Sequence, residues 1–184
     1  DGSIQPTDAK QLIGEAGELQ RKLVLDKGPF LFLFHGPPGV GKTTIARLLA
    51  DQTNLAFVQI SAIFTGVPDL KKVFEQARIR RQNGQGTLLF VDDIHRFNKA
   101  QQDGFLPHME DGTILLVGAT TENPSFELNA ALLSRSQVIV LERLTPADLE
   151  RLTQRAEKEL ARALPLTGEA REAMIDMADG DGRA

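Results

Sequence analysis

The sequence contains no cysteine and only three histidines among its 184 residues. Without thiols the chain cannot form disulfides, thiolate zinc sites or a cysteine nucleophile. The histidines, His35, His95 and His108, are isolated from one another along the chain. We therefore interpret them as structural or surface side chains rather than as metal ligands.

A long apolar run and a strong net charge are also missing. The apolar run at residues 30–34 is far shorter than the roughly 20 residues that a membrane span needs. The net charge is −4, so nucleic-acid binding would require a local basic patch. We expect a soluble cytoplasmic protein without a membrane partner. Because the chain begins at Asp1 and ends at Ala184, we also expect it to be cut from a longer protein.

Hydrophobic residues make up 41% of the sequence, and many of them lie in five short runs. Each run is nearly continuous, which is typical of strands buried on both faces of a parallel sheet. Helical patterns separate the runs, so the sequence predicts an α/β fold with helices on both sides of the sheet. The predicted strands cover residues 30–35, 55–60, 87–93, 113–120 and 137–142.

Three helices are predicted between these strands, at residues 42–52, 68–84 and 98–111. The second places Leu70, Val73, Phe74 and Ala77 on one face and stops at Gly84. The third begins at Asn98, and Pro107 should end or kink it.

After Glu142 only helical patterns follow, with caps predicted at Thr145 and Thr167. We expect an α/β nucleotide-binding core over residues 1–143 and the first part of a helical lid over residues 144–184.

The stretch "GPPGVGKTT" at residues 36–44 matches a phosphate-binding loop. Glycines let backbone N–H groups curl around phosphates, and the following helix adds the positive end of its dipole. Lys42 is expected to reach the β- and γ-phosphates of ATP, and the Thr43 hydroxyl to bind Mg²⁺. The residues expected to contact the nucleotide here are Gly36, Pro37, Pro38, Gly39, Val40, Gly41, Lys42, Thr43 and Thr44.

Three further elements follow this loop in the chain. Asp92 and Asp93 end an apolar strand, where the first would hold Mg²⁺ and the second would polarise the attacking water. The sequence "GATTENP" at residues 118–124 offers hydroxyls to the γ-phosphate, although Thr120 could instead satisfy its own turn. Arg135 could stabilise transferred phosphoryl charge or be a surface charge.

With these elements in order, the chain resembles the AAA+ ATPases of the clamp-loader clade. The segment from Phe90 to Arg135, "FVDDIHRFNKAQQDGFLPHMEDGTILLVGATTENPSFELNAALLSR", resembles the replication-associated recombination protein A family. That family includes the Werner-helicase-interacting protein of eukaryotes. The resemblance covers about residues 28–184 and implies a P-loop core with a five-stranded parallel sheet in the order 5-1-4-3-2, followed by an all-α lid.

The resemblance also implies roles for single residues. Thr121 matches the sensor-1 position, and Arg135 matches an arginine finger that acts on the ATP of a neighbouring subunit. Arg183 in "GDGRA" matches the lid arginine called sensor 2. Ser61, at the end of the second strand, is a candidate for the polar residue that restrains the catalytic acid.

Three departures from the family qualify these expectations. The family generally has glutamate where this chain has Asp93, so we expect slow hydrolysis. Residues 4–19 match the adenine-contacting region only loosely, and no adenine contacts are assigned. The chain stops inside the lid, before the family's oligomerisation region.

The implied function is a Mg²⁺-dependent ATPase that acts as a homo-oligomer on DNA at replication forks, in recombination and repair. The expected location is the cytoplasm, at the nucleoid, and single-strand-binding protein is a candidate partner. Arg78, Arg80 and Arg81 are the local candidates for DNA contact, or they form a solvated helix face. The alternatives are a clamp-loader or branch-migration subunit and an ATP-dependent oligomeric switch with little turnover. A kinase or GTPase fits least, because no guanine-selecting N-K-x-D pattern follows.

Overall fold

Five parallel strands form the centre of the computed structural model, which describes residues 31–183. The strands are β1 Leu31–His35, β2 Ala56–Ser61, β3 Thr87–Asp92, β4 Ile114–Thr120 and β5 Ser136–Val140. They lie in the order β2-β3-β4-β1-β5, which is the predicted order counted from the other edge. The predicted fold is therefore confirmed. Phe30 and the segment 4–19 lie outside the described residues.

Eight α-helices and one 3₁₀ turn connect the strands and form the tail within the described part of the chain. The 3₁₀ turn, Ile94–Arg96, directly follows β3 and Asp93. The helices are α1 Lys42–Thr53, α2 Val67–Gln82, α3 Lys99–Asp103, α4 Leu106–Glu110, α5 Pro124–Glu127, α6 Ala130–Leu133, α7 Pro146–Glu159 and α8 Gly168–Ala178. None of the helices in residues 31–183 is long and apolar enough to span a membrane.

Alternate residues of the inner strands point to opposite faces of the sheet, and each face carries its own core. Leu31 and Leu33 pack in the core that contains Phe74 of α2. Phe32 and Phe34 pack in the other core, against Ala46 of α1. Because both faces are covered, the inner strands can be apolar along their whole length.

The edge strands differ from the sequence prediction. All five runs were expected to be buried on both faces, and this is wrong for the two edge strands: β2 contains no fully buried residue and β5 contains one. Gln137, Val138 and Val140 are exposed, and Ile139 is the buried residue of the strand. The reason is topological, since β5 pairs only with β1 and lies at the edge of the sheet as the structure describes it.

The single helix predicted over residues 98–111 is in fact two short helices. Asn98 caps α3 as expected, accepting a hydrogen bond from the Gln101 backbone N–H at 2.9 Å. The break falls at Gly104 and Phe105, before Pro107 rather than at it. Pro107 lies in the first turn of α4, where its missing N–H would have had no helical partner.

The tail contains the two helices that its sequence predicts. The Thr145 hydroxyl caps α7 by accepting the Asp148 N–H at 3.2 Å, and Thr167 caps α8 in the same way through Ala170. Arg171 of α8 contacts both Glu150 and Glu157 of α7. The ion pairs join the two helices, and each cap fixes the start of its own helix.

Candidate nucleotide-binding site

The phosphate loop connects the end of β1 with the start of α1. Gly39 and Gly41 have φ angles of 76° and 92°, in the left-handed region that glycine adopts without steric cost. Gly41 immediately precedes α1 and has no side chain that could cap it. The first N–H groups of α1 are therefore directed into the loop, which makes this end of the helix suited to an anion.

The Lys42 ammonium group lies inside this loop. Its Nζ donates hydrogen bonds to the carbonyl oxygens of Gly36 and Pro37, at 2.7 Å each. Burial lowers the pKa of Lys42 below its ordinary value, while Asp92 and Asp93 act in the opposite direction. The lysine thus lies within electrostatic reach of both acids.

The two acids lie at the junction of β3 and the 3₁₀ turn. Asp92 is the last residue of β3, and Asp93 has φ 53° and ψ 41°. Ile94, which is fully buried, anchors the turn beneath them. A methyl group on Gly118 of β4 would lie 3.0 Å from Ile94 Cδ1, so glycine there leaves room for the anchor.

Of the paired threonines at the end of β4, Thr120 satisfies its own turn, as one of the two sequence interpretations proposed. Its hydroxyl accepts the Glu122 N–H at 3.0 Å and lies 2.9 Å from His95 Nδ1. Thr121 is the next residue and is exposed. His95 therefore joins the 3₁₀ turn to the end of β4, a contact that the sequence did not reveal because it depends on strand pairing.

Ser61 lies beside the acids without a direct bond to them among the hydrogen bonds of the described residues. It pairs with Asp92 across β2 and β3, and the Ala62 N–H donates to the Asp92 carbonyl at 2.9 Å. The Ser61 hydroxyl accepts the Ile63 N–H at 3.4 Å. The suggestion that Ser61 restrains the catalytic acid stays a prediction.

The segment after α8 returns to the phosphate loop. The Gly182 N–H donates to the Gly39 carbonyl at 3.1 Å. Asp181 accepts hydrogen bonds from the Arg183 side chain, which pair the two residues at two points. This pair raises the pKa of Arg183, and Asp92 raises it further through space. Arg183 thus belongs to the same electrostatic environment as Lys42.

Arg135 is not brought together with the other predicted residues. It lies at the start of β5, and its carbonyl accepts the Leu31 N–H at 3.4 Å, at the amino end of β1. The phosphate loop begins at the opposite end of β1, roughly 15 Å away for a strand of five residues. The Arg135 guanidinium donates to the Ala131 carbonyl at 3.0 Å and pairs with the Glu110 carboxylate at 3.3 Å.

The residues at the carboxyl edge of the sheet fit a magnesium nucleotide. The loop presents backbone N–H groups and an ammonium group, which are donors for phosphate oxygens. Thr43 lies in the first turn of α1 and Asp92 at the end of β3, and hydroxyl and carboxylate oxygens are the ligands that Mg²⁺ prefers. The carbonyl contacts of Lys42 are ones that a phosphate can replace.

Comparison with protein families places the chain among known ATPases. The model of the ATPase family associated with various cellular activities (AAA) matches residues 32–144. Replication-associated recombination protein A of Escherichia coli K12 is 48% identical over an alignment 190 positions long, which covers 98% of this chain and 42% of that protein. ATPase WRNIP1 of Dictyostelium discoideum is 43% identical to this chain. The alignment covers 98% of this chain and 22% of WRNIP1.

Solved structures show the same fold. The RuvB Holliday junction branch migration motor of Thermotoga maritima superposes with a TM-score of 0.72 at 25% identity, covering 96% of this chain and 58% of that one. The AAA domain of FIGL-1, solved with ADP, superposes with a TM-score of 0.66 at 22% identity. The chain spans only 37% to 42% of two replication-associated recombination proteins that it matches.

The contact between Gly39 and Asp181 predicts unequal effects of two glycine substitutions. Alanine at Gly39 or Gly41 should cost about 1–2 kcal/mol, because both have left-handed backbone angles. A methyl group on Gly39 would also lie 1.8 Å from Asp181 Oδ1, whereas at Gly41 it meets none of the described residues within 4 Å. Thermal unfolding without nucleotide should therefore show a larger loss of stability for Gly39→Ala.

A second substitution serves as the control for this experiment. Asp181→Ala removes the carboxylate and should recover part of the stability that Gly39→Ala loses, without helping Gly41→Ala. Equal destabilisation by the two glycine substitutions would contradict the contact.

Proposed function

Because the chain belongs to the AAA family of ATPases and, within it, to the replication-associated recombination protein A group, we propose that it binds and hydrolyses Mg²⁺–ATP in order to act on DNA. The proposal concerns replication-fork maintenance, recombination and repair. The observation that carries it is the convergence of Lys42, Asp92 and the phosphate loop at one edge of the sheet. The domain division into a core over 1–143 and a lid over 144–184 is part of the proposal.

Nucleotide binding is assigned to the backbone and side chains of the phosphate loop, residues 36–44, together with Arg183 from the lid. Lys42 would release its two carbonyl partners and donate to phosphate oxygens instead. Thr43 and Asp92 would hold Mg²⁺, which supplies charge neutralisation to the β- and γ-phosphates when bound. Thr121 is exposed at the end of β4, where its hydroxyl can orient a water molecule or a γ-phosphate oxygen.

Asp93 is the proposed general base, and the length of its side chain supports slow turnover. Aspartate is one methylene shorter than glutamate, so its carboxylate is set back by roughly 1.5 Å. Misplacement by about 1 Å can lower a rate on the order of a hundredfold. Asp93 also has a left-handed backbone, which aspartate tolerates better than most residues with a side chain.

Arg135 is proposed to act on the nucleotide of a neighbouring subunit in a homo-oligomer. The support is its position at the amino edge of the sheet, since its own phosphate loop lies at the carboxyl edge. A guanidinium group placed in this way would stabilise the charge of the transferred phosphoryl group.

The DNA-directed part of the proposal comes from the relatives. Their names state roles in replication-associated recombination. The arginines of α2 support it only weakly, because Arg81 faces Asp111 at 3.7 Å and Arg80 is partly buried. DNA at replication forks and single-strand-binding protein are proposed partners, and the cytoplasm, at the nucleoid, is the proposed location.

Two other functions compete with this one. A branch-migration motor is suggested by the fold of RuvB, but identity to RuvB is 25% against 48% to the recombination protein of E. coli. An oligomeric switch with little turnover is favoured by Asp93, which leaves nucleotide binding intact while weakening the base.

The proposed function predicts that DNA structure controls hydrolysis. Forked or gapped DNA should raise steady-state ATP hydrolysis by the complete protein severalfold over blunt duplex DNA of the same length. Phosphate release measured on the three DNAs at equal nucleotide concentration provides the test. Tight ATP binding without hydrolysis on any DNA would support the switch instead.

Arg135→Ala should leave ATP affinity within about threefold and lower hydrolysis about a thousandfold, the loss typical of a missing arginine finger. Arg151→Ala is the matched control, because Arg151 is also an exposed arginine with one carboxylate partner, and no role in the site is assigned to it. The measurements are nucleotide titration and steady-state hydrolysis of the complete protein. Strong loss of ATP binding by Arg135→Ala would show that Arg135 is structural.

Asp93→Glu should raise the rate of DNA-stimulated hydrolysis by about tenfold or more, because it returns the carboxylate to the reach of a glutamate. The same substitution should lower stability by about 1 kcal/mol, since glutamate fits the left-handed backbone less well than aspartate. Asp93→Asn keeps the backbone preference without the base and should be inactive. Equal rates for the natural protein and Asp93→Glu would exclude a slow site.

A further inference from the structure

The segment of residues 179–183 is held at two places, one at the start of the lid and one at the phosphate loop. On one side the Gly180 carbonyl accepts the Leu144 N–H at 3.2 Å, at the start of the lid. On the other side the Gly182 N–H donates to the Gly39 carbonyl at 3.1 Å. The backbone around Asp181 is therefore held against the loop, and the position of its side chain is set by these contacts.

The Asp181 carboxylate occupies the space next to Gly39, where a methyl group on the glycine would lie 1.8 Å from Oδ1. A carboxylate beside a loop that binds phosphates would repel the nucleotide unless a cation accompanies it. Its partner is Arg183, so the two residues bring a balanced pair of charges to the loop rather than a bare negative charge.

The geometry of the pair fixes the plane of the guanidinium group. Asp181 Oδ1 accepts Arg183 Nε at 3.2 Å and the Arg183 backbone N–H at 2.8 Å, and Oδ2 accepts Nη2 at 3.0 Å. A guanidinium has five N–H donors, and the pair uses those on the Nε and Nη2 side. Among the hydrogen bonds of the described residues none involves Nη1, which leaves that nitrogen able to donate to a phosphate while the pair stays intact.

Stability alone does not account for this arrangement. The Arg183 side chain is 69% exposed and that of Asp181 is 31% exposed, and exposed ion pairs contribute little to folding. Both residues nevertheless lie next to the site, since the Asp181 carboxylate lies beside Gly39 and Arg183 is within electrostatic reach of Asp92 and Lys42. At this exposed position, the two-point pair with Asp181 acts mainly by fixing the orientation of the Arg183 guanidinium group.

We propose that Asp181 is a positioning residue that holds the Arg183 guanidinium over the phosphate loop, with Nη1 directed to the phosphates of bound ATP. The proposal rests on the proposed function of Arg183 as a nucleotide contact and adds a residue that acts only through it. Asp181 does not touch the nucleotide in this arrangement.

The test is a double-mutant cycle in the complete protein with Asp181→Asn and Arg183→Ala. Asp181→Asn should lower kcat for ATP hydrolysis about tenfold, with ATP affinity changed less than about threefold, since a misdirected arginine is still a nearby cation. In the Arg183→Ala background the same substitution should change kcat less than about twofold.

Asp179→Asn is the matched control. Asp179 lies in the same segment and pairs with Arg143, and asparagine also tolerates the left-handed backbone of Asp179. This variant disturbs an ion pair of the segment without touching Arg183, so kcat should stay within about twofold of the natural protein. An equal loss for Asp179→Asn and Asp181→Asn would assign the effect to general loosening of the lid and would overturn the proposal.

The outcomes separate this inference from the proposed function beneath it. If Arg183→Ala changes neither kcat nor ATP affinity, the nucleotide-contacting role of Arg183 is wrong. If Arg183→Ala lowers kcat but Asp181→Asn does not, or lowers it equally in both backgrounds, the positioning role of Asp181 is wrong.

A second variant covers the case in which Asp181→Asn fails to fold. Arg183→Lys keeps the charge but cannot form the two-point pair, so it should lose most of the contribution of Arg183 to kcat. Full activity of Arg183→Lys would overturn the proposal.

Discussion

The parallel pairing of β1 with β4, and of β4 with β3, is the constraint on which the candidate site depends. It sets His35 opposite Thr120 and Val91 opposite Gly118. The residues that follow these three strands must then emerge at one edge of the sheet. The phosphate loop, Asp92 with Asp93, and Thr121 are consequently neighbours, although long stretches of chain separate them. Burial of both faces holds this register, because a slip of one residue would exchange the two cores.

Within the site, the glycine backbone sets the shape of the phosphate loop, and the charged side chains set its electrostatics. The glycines of the loop give it a shape that other residues would strain. Lys42 lies inside the loop and donates to two of its carbonyl groups. The ammonium therefore stays hydrogen-bonded and close to Asp92 and Asp93, so phosphate binding requires an exchange of partners rather than the burial of a new charge.

The fold and much of the site could be predicted because they depend on local patterns. Continuous apolar runs, a glycine-rich loop and a pair of acids are each recognisable in a few residues, and the family resemblance that they support is confirmed by the AAA family match and by the recombination-protein relatives. Contacts between distant segments could not be predicted in this way. The pairing of His95 with Thr120 and the packing of Asp181 on Gly39 depend on how strands and lid meet. The break at Gly104 was missed because Pro107 is the stronger local signal, yet proline is tolerated in a first helical turn.

Two arginines supply the positive charge that the proposed mechanism needs, and they come from opposite directions. Arg183 approaches the loop from the lid, while Arg135 lies at the amino edge of the sheet and, in the proposed mechanism, acts on the nucleotide of another copy. Each is held by a carboxylate, Asp181 and Glu110 respectively, and both pairs are partly exposed. Exposed pairs add little to stability, so these carboxylates serve mainly to orient the guanidinium groups. In the proposed mechanism the two sources are the lid and a neighbouring subunit, so a complete site would need both in place, and hydrolysis would be coupled to the geometry of the oligomer.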